Sequence, residues 1–343
     1  MEFIEIDGSY GEGGGQIIRT AVGLSGATGL PIRIHSIRAK RPRPGLSHQH
    51  LNAIRAVQIL TDAKVEGLEI GSRELSFQPE RVNPGRYRID IGTAGSASLV
   101  FQALLIPALC ATELVEVDIT GGTDVPMSPS TDYIKNVFLK LLSRMGACVD
   151  LDVKRRGHYP KGGGLLSARI HPSQLRGLQI ERRGMLKGIY GVSHSTSLPA
   201  HIAERQRTAA IDALFKDLRE KAVIEIETSQ AFGEGTGIVL WAEYEYTVLG
   251  AASLGKRGKR AELVGEEAAA NLLRELKSNA TMDVHMADQL IPYIALAKGL
   301  SSYTCRPTSH VMTNLYITER VLGTRFSTTQ LQGGLVRIEC QNP

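Results

Sequence analysis

The order of apolar patterns along the chain constrains its fold more than any other feature of the sequence. Residues 2–78 alternate between strand-like and helix-like patterns in the order β-α-β-α-β-β. The predicted strands are 2–6, 32–37, 65–70 and 74–78, and the predicted helices are 16–24 and 46–60. Because a helix that joins two strands covers one face of their sheet, this unit is predicted to be a helix layer on a sheet.

The same order of patterns returns twice, at a spacing of about 80 residues. The second unit has predicted strands at 87–91, 115–119, 148–153 and 164–170, and helices at 96–109 and 131–145. The end of the chain has predicted helices at 286–298 and 310–322, and strands at 302–305, 325–329 and 334–340. The sequence therefore predicts an α/β (α+β) fold made of three repeated β-α-β-α-β-β units.

The third unit is interrupted by a segment with patterns of its own. Its first strand is expected near 179–189, but its first helix begins only after residue 283. The intervening patterns predict strands at 187–193, 222–228 and 237–246, and helices at 202–218 and 265–278. We predict a small α/β domain at residues 185–278, inserted into a large domain of residues 1–184 and 279–343. Its basic stretch 255–260 is either a solvated loop or a contact to a nucleic-acid backbone.

Composition narrows the possible function classes. The longest apolar run, residues 99–109, is shorter than the ~18 residues of a membrane span. The first residues lack a signal-peptide pattern, so a cytoplasmic location is expected. The four cysteines have no CxxC spacing and are interpreted as ordinary buried thiols. The net charge of +5 is compatible with a polyanionic substrate.

A glycine-dense turn joins the first strand to the first helix. It reads Asp7-Gly-Ser-Tyr-Gly-Glu12-Gly-Gly-Gly-Gln16, and Arg19 follows. A nucleotide P-loop is excluded because no lysine precedes Lys40, and the third glycine of a dinucleotide fingerprint is replaced by Gln16. An acid inside an anion-binding turn favours a metal–phosphate site, and a tight turn without a ligand is the alternative.

A second cluster is basic and leaves the end of a strand. It holds Arg38, Arg41 and Arg43 and leads into Gln49 and His50. Guanidinium groups match phosphate oxygens geometrically, and ligands of α/β sheets favour the strand ends. This loop is therefore a predicted phosphate site, although a solvated basic loop has the same composition.

Two further clusters begin helices near the end of the chain. Asp288 is a candidate ligand for a metal or a ribose, and Gln289 a candidate for a base, although an acid there is also an ordinary helix cap. His310 begins a helix after a strand and a proline. A neutral imidazole is a competent nucleophile near pH 7, and a structural histidine is the alternative.

Taken together, these clusters resemble the RNA 3′-terminal phosphate cyclase family. The matching stretches are 7–19, 38–50, 92–102, 121–124, 159–164, 287–290 and 310–314. The resemblance implies three repeats with a small α/β domain inserted in the third. It also implies an ATP-dependent conversion of an RNA 3′-terminal phosphate to a 2′,3′-cyclic phosphodiester. This reaction would pass through a covalent histidine–AMP intermediate and an RNA–adenylate anhydride.

The resemblance also implies roles for individual residues. His310 matches the nucleophile, and Glu12 matches a position assigned to a divalent metal, Mg or Mn, or to the phosphates. The positions that match ATP contacts are Gln102, His285, Met286, Ala287, Asp288 and Gln289. The positions that match contacts to phosphates and the RNA end are Arg19, Arg38, Arg41, Gln49 and His50. His285 stands where some relatives carry an aromatic residue, and imidazole also stacks on adenine.

Three other functions compete with this hypothesis. A non-catalytic branch of the same family assembles ribosomes, but it lacks the nucleophilic histidine that His310 supplies here. Enolpyruvyl transferases are built from similar repeats and bind phosphates, but their chemistry needs no such histidine. A plain RNA-binding module fits poorly because only 5% of the residues are aromatic. The expected partners are ATP and an RNA with a 3′-phosphate, without a membrane, and a homodimer is compatible with the sequence.

Overall fold

The computed structural model describes residues 2–343 and places their strands in four sheets. Residue 1 of the predicted large domain lies outside the described residues. The first sheet contains β1 (Ile4–Asp7), β2 (Ile32–His35), β3 (Lys64–Glu66) and β4 (Leu75–Gln78), in the order β1-β2-β4-β3. Strands β1 and β2 are parallel, and the other pairs are antiparallel. Helices α1 (Gly15–Thr28) and α2 (His48–Thr61) form the connections.

The second sheet repeats this strand order. It contains β5 (Gly85–Asp90), β6 (Val115–Gly121), β7 (Cys148–Arg155) and β8 (Gly164–His171), in the order β5-β6-β8-β7. Its first pair is again parallel, and its other pairs are antiparallel. The connections are α3 (Ala97–Ala108) and a helical segment made of α4 (Thr131–Tyr133), a π-helical turn (Ile134–Phe138) and α5 (Leu139–Arg144).

The segment that interrupts the third unit forms a sheet of its own. Its elements are β9 (Leu186–Thr196), α6 (His201–Leu218), β10 (Ala222–Ser229), β11 (Gly235–Tyr244), β12 (Val248–Leu254) and α7 (Ala261–Lys277). The strand order is β10-β9-β11-β12. Both helices pack on this sheet over a separate apolar cluster that includes Ile224, Leu240 and Leu272. We call residues 186–277, from the start of β9 to the end of α7, the insert. The domain limits 185–278 are a prediction from the sequence.

The remaining sheet has three strands in the order β13-β15-β14. The elements after the insert are α8 (Met286–Gln289), α9 (Ile291–Leu296), β13 (Gly299–Cys305), α10 (Ser309–Leu322), β14 (Phe326–Gln330) and β15 (Val336–Asn342). Isolated parallel bridges join Arg176 to Lys298 and Gln179 to Ser302, so the chain near 176–180 runs beside β13. The predicted first strand at 179–189 is wrong in its second half, because residues from Leu186 onward belong to β9 of the insert.

The predicted mixed α/β class is confirmed by these sheets and helices. Helix α1 lies at the centre of the large domain, where it packs against α2, α3 and α10. Its residues Ile17, Ile18, Val22 and Leu24 are buried in the main core. The turn that begins α1 is therefore held close to helices that come from all three predicted units.

The structure tests the predicted burial of the cysteines and the predicted lack of a membrane-spanning segment. Cys305 and Cys340 are buried as predicted, but Cys110 and Cys148 are exposed, because Cys110 lies in the turn after α3 and Cys148 begins β7. Among residues 2–343, no helix is both long enough and apolar enough to cross a bilayer.

Candidate functional site

A cavity of about 510 Å³ opens where the large domain meets the insert. Volumes of 300 to 1,000 Å³ are typical of sites for small-molecule ligands. Its wall includes residues of α1, α3, α8, α10, the loop after β6 and strand β12. The predicted site residues in the wall are Arg19, Gln102, His285, Asp288, Gln289 and His310. The fold therefore brings together residues from all three predicted units.

His310 lies in the first turn of α10 and is exposed to solvent. The N-cap of this helix is Thr308, whose hydroxyl accepts a hydrogen bond from the Val311 N–H at 3.1 Å. The Nδ1 atom of His310 contacts Oε1 of Gln16. The imidazole is thus anchored on one nitrogen by α1, and its other nitrogen is not used in that contact.

The orientation of the Gln16 amide follows from its other contacts. Its Nε2 donates to Asp288 Oδ2 at 2.9 Å and to the carbonyl oxygen of His310 at 3.1 Å. Since both bonds require the NH₂ group, Oε1 must face the ring, and Nδ1 must carry the proton. In the neutral ring, the Nε2 atom of His310 therefore has the lone pair that a nucleophile needs.

Asp288 and Arg19 determine the charge of the cavity wall. Burial raises the pKa of the Asp288 carboxyl to about 7, and the Asp283 charge adds to this effect while Arg19 opposes it. Burial lowers the pKa of the half-buried Arg19 guanidinium to about 10, and Asp288 opposes the shift. Arg19 thus remains a cation at neutral pH, next to a carboxyl that titrates there.

A pair of glutamines lies across the cavity wall between α3 and α8. Gln102 Nε2 donates to Gln289 Oε1 at 2.7 Å. Their remaining amide groups can read donors and acceptors on a ligand. His285 is exposed beside them and meets the ring of Tyr133 edge-on, with centroids 6.0 Å apart.

Asp283 holds the segment that precedes α8, a role that the sequence did not reveal. Its Oδ1 accepts from the backbone N–H groups of His285 and Met286, each at 2.9 Å, and from the Tyr133 hydroxyl at 2.7 Å. Its Oδ2 accepts from the N–H of Gly250 in β12 at 2.9 Å. This buried carboxylate therefore connects the insert to the cavity wall.

Met286 and Ala287 do not line the cavity. Both are fully buried and belong to the main apolar core. They lie on the face of α8 that packs inward, because that face carries the apolar side chains of the helix. Their predicted contact with ATP is thus not supported by their position, and they hold Asp288 and Gln289 in place.

The basic loop and the glycine turn meet near His310. Gly11 and Gly13 have φ angles of 56° and 58°, which side chains other than glycine rarely adopt, so the turn requires them. Glu12 in that turn forms an ion pair with Arg41 at 3.2 Å and contacts the Ser309 hydroxyl. The Ser309 hydrogen bond is the main reason that the pKa of Glu12 is lowered. Arg38 donates to the carbonyl of Gly45 at 2.9 Å and stiffens the loop.

Gln49 and His50 support the site from behind, since neither lines the cavity. Gln49 bonds to the backbone of Ser96 twice, accepting from its N–H at 2.7 Å and donating to its C=O at 3.1 Å. His50 is buried, and burial with the charges of Arg19 and Arg38 lowers its pKa to about 3. A neutral His50 with its Nδ1 bonded to the Ser47 N–H braces the start of α2.

Two parts of the wall were missed from the sequence. The loop after β6 contributes Val125, Met127 and Ser130, and β12 contributes Ser253 and Leu254. The stretch 121–124, which begins with two glycines and matches the family, directly precedes this loop and was a signal for it. Nothing in the sequence indicated β12, because its small residues lack the alternation of a half-buried strand.

The chain is similar to proteins of one family over most of its length. The family model described as RNA 3′-terminal phosphate cyclase matches residues 10–328. A Methanopyrus kandleri protein is 49% identical over 330 residues, which cover 94% of this chain and 94% of the relative. An Archaeoglobus fulgidus protein is 49% identical over 321 residues, which cover 93% of this chain and 96% of the relative. A Thermococcus kodakarensis protein is 49% identical over 330 residues, which cover 95% of this chain and 94% of the relative. All three relatives carry the name RNA 3′-terminal phosphate cyclase.

Proposed function

Since the chain belongs to the RNA 3′-terminal phosphate cyclase family, we propose that it uses ATP to convert an RNA 3′-phosphate into a 2′,3′-cyclic phosphodiester. The observation that carries the proposal is the contact between Gln16 and His310 at the cavity. It leaves one imidazole nitrogen with a free lone pair beside a cavity in the size range of small-molecule sites. This arrangement supports covalent transfer of a nucleotide through His310.

In the first step, Nε2 of His310 attacks the α-phosphorus of ATP. The bond from that phosphorus to the bridging oxygen breaks, and pyrophosphate leaves. The ring of the resulting histidine–AMP intermediate keeps its Nδ1 proton and carries a positive charge. Gln16 Oε1 stabilises that charge by accepting the proton's hydrogen bond.

In the second step, an oxygen of the RNA 3′-phosphate attacks the phosphorus of AMP. The N–P bond breaks, and the imidazole returns to its neutral form. The product is an anhydride between AMP and the RNA 3′-phosphate. This step supplies a leaving group that a phosphate monoester dianion lacks.

In the third step, the neighbouring 2′-hydroxyl attacks the activated 3′-phosphorus, releases its proton to solvent and expels AMP. The hydroxyl and the phosphorus are held on one ribose, so little entropy is lost on closing the ring. The protein's contribution is to position the groups and to neutralise their charge.

Residues of the cavity wall and of the neighbouring glycine turn and basic loop have separate parts in this scheme. Arg19, Arg38 and Arg41 are cations for the triphosphate and the RNA end, and Gln102, Gln289 and His285 are contacts for the nucleotide. Glu12, beside the Ser309 hydroxyl, fits a Mg²⁺ or Mn²⁺ ion, because such ions take one or two carboxylates and complete their shell with substrate phosphates. A bound ion would neutralise charge on the phosphates, and Glu12 would exchange its contact with Arg41 to hold it.

The proposal is tested by incubating the protein with ATP labelled at the α-phosphate and a divalent metal. The variants are His310→Ala and, as a control, His201→Ala on the exposed start of α6. We expect acid-labile, alkali-stable label on the wild type and the control but none on His310→Ala. RNA with a 3′-phosphate should then remove the label and acquire a cyclic end, whereas RNA with a 3′-hydroxyl should not.

Other results would overturn defined parts of the proposal. A wild-type protein that takes no label contradicts nucleotide transfer and favours the assembly or enolpyruvyl alternatives. Label on His310→Ala as well would retain the transfer reaction and exclude His310 as its nucleophile. Label that RNA cannot remove would retain the first step only.

A further inference from the structure

A second cluster of polar residues is buried outside the cavity, at the junction of the second sheet and the insert. Asp124 follows β6, His158 follows β7, and His194 lies in β9 of the insert. Their exposed fractions are 2%, 4% and 1%. One carboxylate oxygen and one nitrogen from each ring lie within 4.8 Å of one another. Three metal-ligating side chains from three separate elements therefore converge in the interior.

Several atoms of this cluster have no hydrogen-bond partner in the described part of the chain. These are Nδ1 and Nε2 of His194 and Oδ1 of Asp124. An unpaired buried polar group typically costs about 1–3 kcal/mol, so native proteins rarely retain several in one place. His158 differs, because its Nε2 lies 3.2 Å from the Thr196 hydroxyl and its ring also bonds to the backbone of Asp124, so it would exchange one of these contacts to bind a ligand. The unpaired atoms thus indicate a ligand shared by Asp124 and His194.

The charges around the cluster indicate that this ligand is a cation. Arg156, only 1% exposed, pairs with Asp124 at 3.1 Å, with Asp132 at 2.9 Å and with Glu227 at 2.6 Å. One guanidinium therefore faces three acidic side chains. Glu227 is 44% exposed to solvent, and burial raises the pKa of Asp132, so Asp124 is the buried anion that faces the two imidazoles. A cation there would use the Asp124 oxygen that Arg156 leaves unpaired.

The protonation states agree with this interpretation. Burial would raise the pKa of Asp124, but the Arg156 charge outweighs it and lowers the pKa to about 2. Burial, with Arg156, holds the pKa of His194 well below its ordinary value, and burial also lowers that of His158. A carboxylate and neutral imidazoles are the forms in which these side chains bind metals.

We propose that Asp124, His158 and His194 bind one divalent transition-metal ion that fastens the insert to the large domain. Two nitrogens and one oxygen favour Zn²⁺, Co²⁺ or Ni²⁺ over Mg²⁺, which prefers oxygen ligands. Zinc bonds of about 2.0–2.1 Å require donors about 3.4 Å apart, so donors that lie within 4.8 Å must close by up to about 1.4 Å. Three protein ligands leave a fourth position for water.

The site would connect two walls of the cavity. Asp124 directly precedes the loop with Val125 and Met127, and His194 lies in β9, which reaches β12 through β11. An ion between them would hold the loop and the insert at one distance. This role is separate from that of the ion carried with ATP at Glu12, and it does not depend on the proposed reaction.

The test uses the whole chain, stripped of metal by a chelator and then titrated with Zn²⁺ or Co²⁺ without ATP. We expect one ion per chain and a Co²⁺ absorption spectrum typical of nitrogen ligands in a four-coordinate site. At a free zinc concentration about 100 times Kd, the Tm should rise by about 4 °C. His194→Gln should weaken binding at least about tenfold, because it removes one of three ligands. His201→Gln, an exposed histidine of the same insert, should bind like the wild type.

Three further variants keep the result interpretable. If His194→Gln does not fold, His158→Gln and Asp124→Asn provide the same comparison on the other two ligands. Glu12→Gln should retain the single ion, which separates this site from the one that holds metal with ATP. A wild type that binds no ion tighter than about 1 mM would overturn the proposal. Equal binding by the ligand variants, or a Co²⁺ spectrum of six oxygens, would also overturn it.

Discussion

Nδ1 of His310 contacts Oε1 of Gln16, although the two residues are separated by 294 positions in the chain. The Gln16 amide also donates to Asp288 Oδ2 and to the carbonyl oxygen of His310, so only its oxygen is left for the ring. The proton of the imidazole is therefore on Nδ1, and the nucleophilic lone pair is on Nε2. Gln16 acts as a positioning residue for the proposed nucleophile.

Gln16→Ala should slow formation of the histidine–AMP intermediate about 100-fold, because the ring loses both its orientation and its tautomer. Affinity for ATP should change less than about threefold, since Gln16 acts through His310. Single-turnover labelling gives the rate, and equilibrium binding gives the Kd. Gln16→Glu retains an acceptor and should recover part of the rate. Gln78→Ala, on the exposed end of β4, is the control. A loss confined to ATP binding would contradict the positioning role.

Asp288→Asn should change how stability depends on pH. Burial raises the pKa of Asp288 from 3.8 to about 7, so the folded protein holds this proton more tightly than the unfolded chain. The resulting stabilisation is present below pH 3.8 and is lost as the pH rises to 7. The free energy of unfolding of Asp288→Asn, relative to that of the wild type, should therefore increase by about 1 kcal/mol from pH 4.5 to pH 8. This value allows for screening by solvent in the cavity.

The measurement is the free energy of unfolding in urea at both pH values. Comparing the variant with the wild type at each pH cancels the contributions of other titrating groups to stability. His50 is one of them, and its lowered pKa makes stability rise with pH instead of fall. Asp150→Asn on the exposed face of β7 is the control for the substitution. An unchanged difference between pH 4.5 and pH 8 would contradict the raised pKa.

Arg156→Met should destabilise the protein by about 3–5 kcal/mol, because it removes the cation that keeps buried Asp124 ionised and that pairs with buried Asp132. Arg169→Met breaks an exposed ion pair with Glu116, in which the arginine side chain is 58% exposed, and should cost less than about 1 kcal/mol. Urea unfolding at neutral pH compares the two. Similar losses of stability in both variants would mean that burial does not determine how much the removal of an ion pair destabilises the protein.

Gly15→Ala should destabilise the protein by about 1–3 kcal/mol, although alanine is the better helix former. The added Cβ would lie 2.1 Å from Nε2 of buried His50 and 3.1 Å from Nη1 of Arg19. A Cβ added at Gly14 would lie 3.5 Å from its nearest atom, Nη2 of Arg41, so the control substitution Gly14→Ala should leave stability nearly unchanged. Thermal unfolding and the labelling rate check both variants. A gain in Tm for Gly15→Ala would show that His50 moves aside freely.

Much of the large domain was predictable because its signals are local. The helix predicted at 310–322 is Ser309–Leu322 in the structure, since Thr308 caps its start and Gly323 ends it. The helix predicted at 46–60 is His48–Thr61, with Ser47 as its cap. The predicted helix at 286–298 is instead two shorter helices, because the turn at Leu290 separates α8 from α9.

The candidate site was predictable only in part. Glu12, Arg19 and His310 were found because glycine turns and helix starts are visible in the sequence. The bracing positions of Gln49 and His50 and the burial of Met286 and Ala287 could not be seen there. They depend on which face of each helix packs inward, and that is determined by neighbouring elements far away in the chain.

The sequence by itself determined the repeated strand and helix order, the turns that expose polar side chains and the identity of the candidate nucleophile. These features arise from periodicity, capping and backbone preferences over a few residues. Only the tertiary structure decided that Gln16 orients His310, that β12 closes the cavity and that Asp124, His158 and His194 meet. The physical reason is that hydrogen bonds, burial and charge pairing join residues that the chain separates widely, and a local pattern carries no record of such partners.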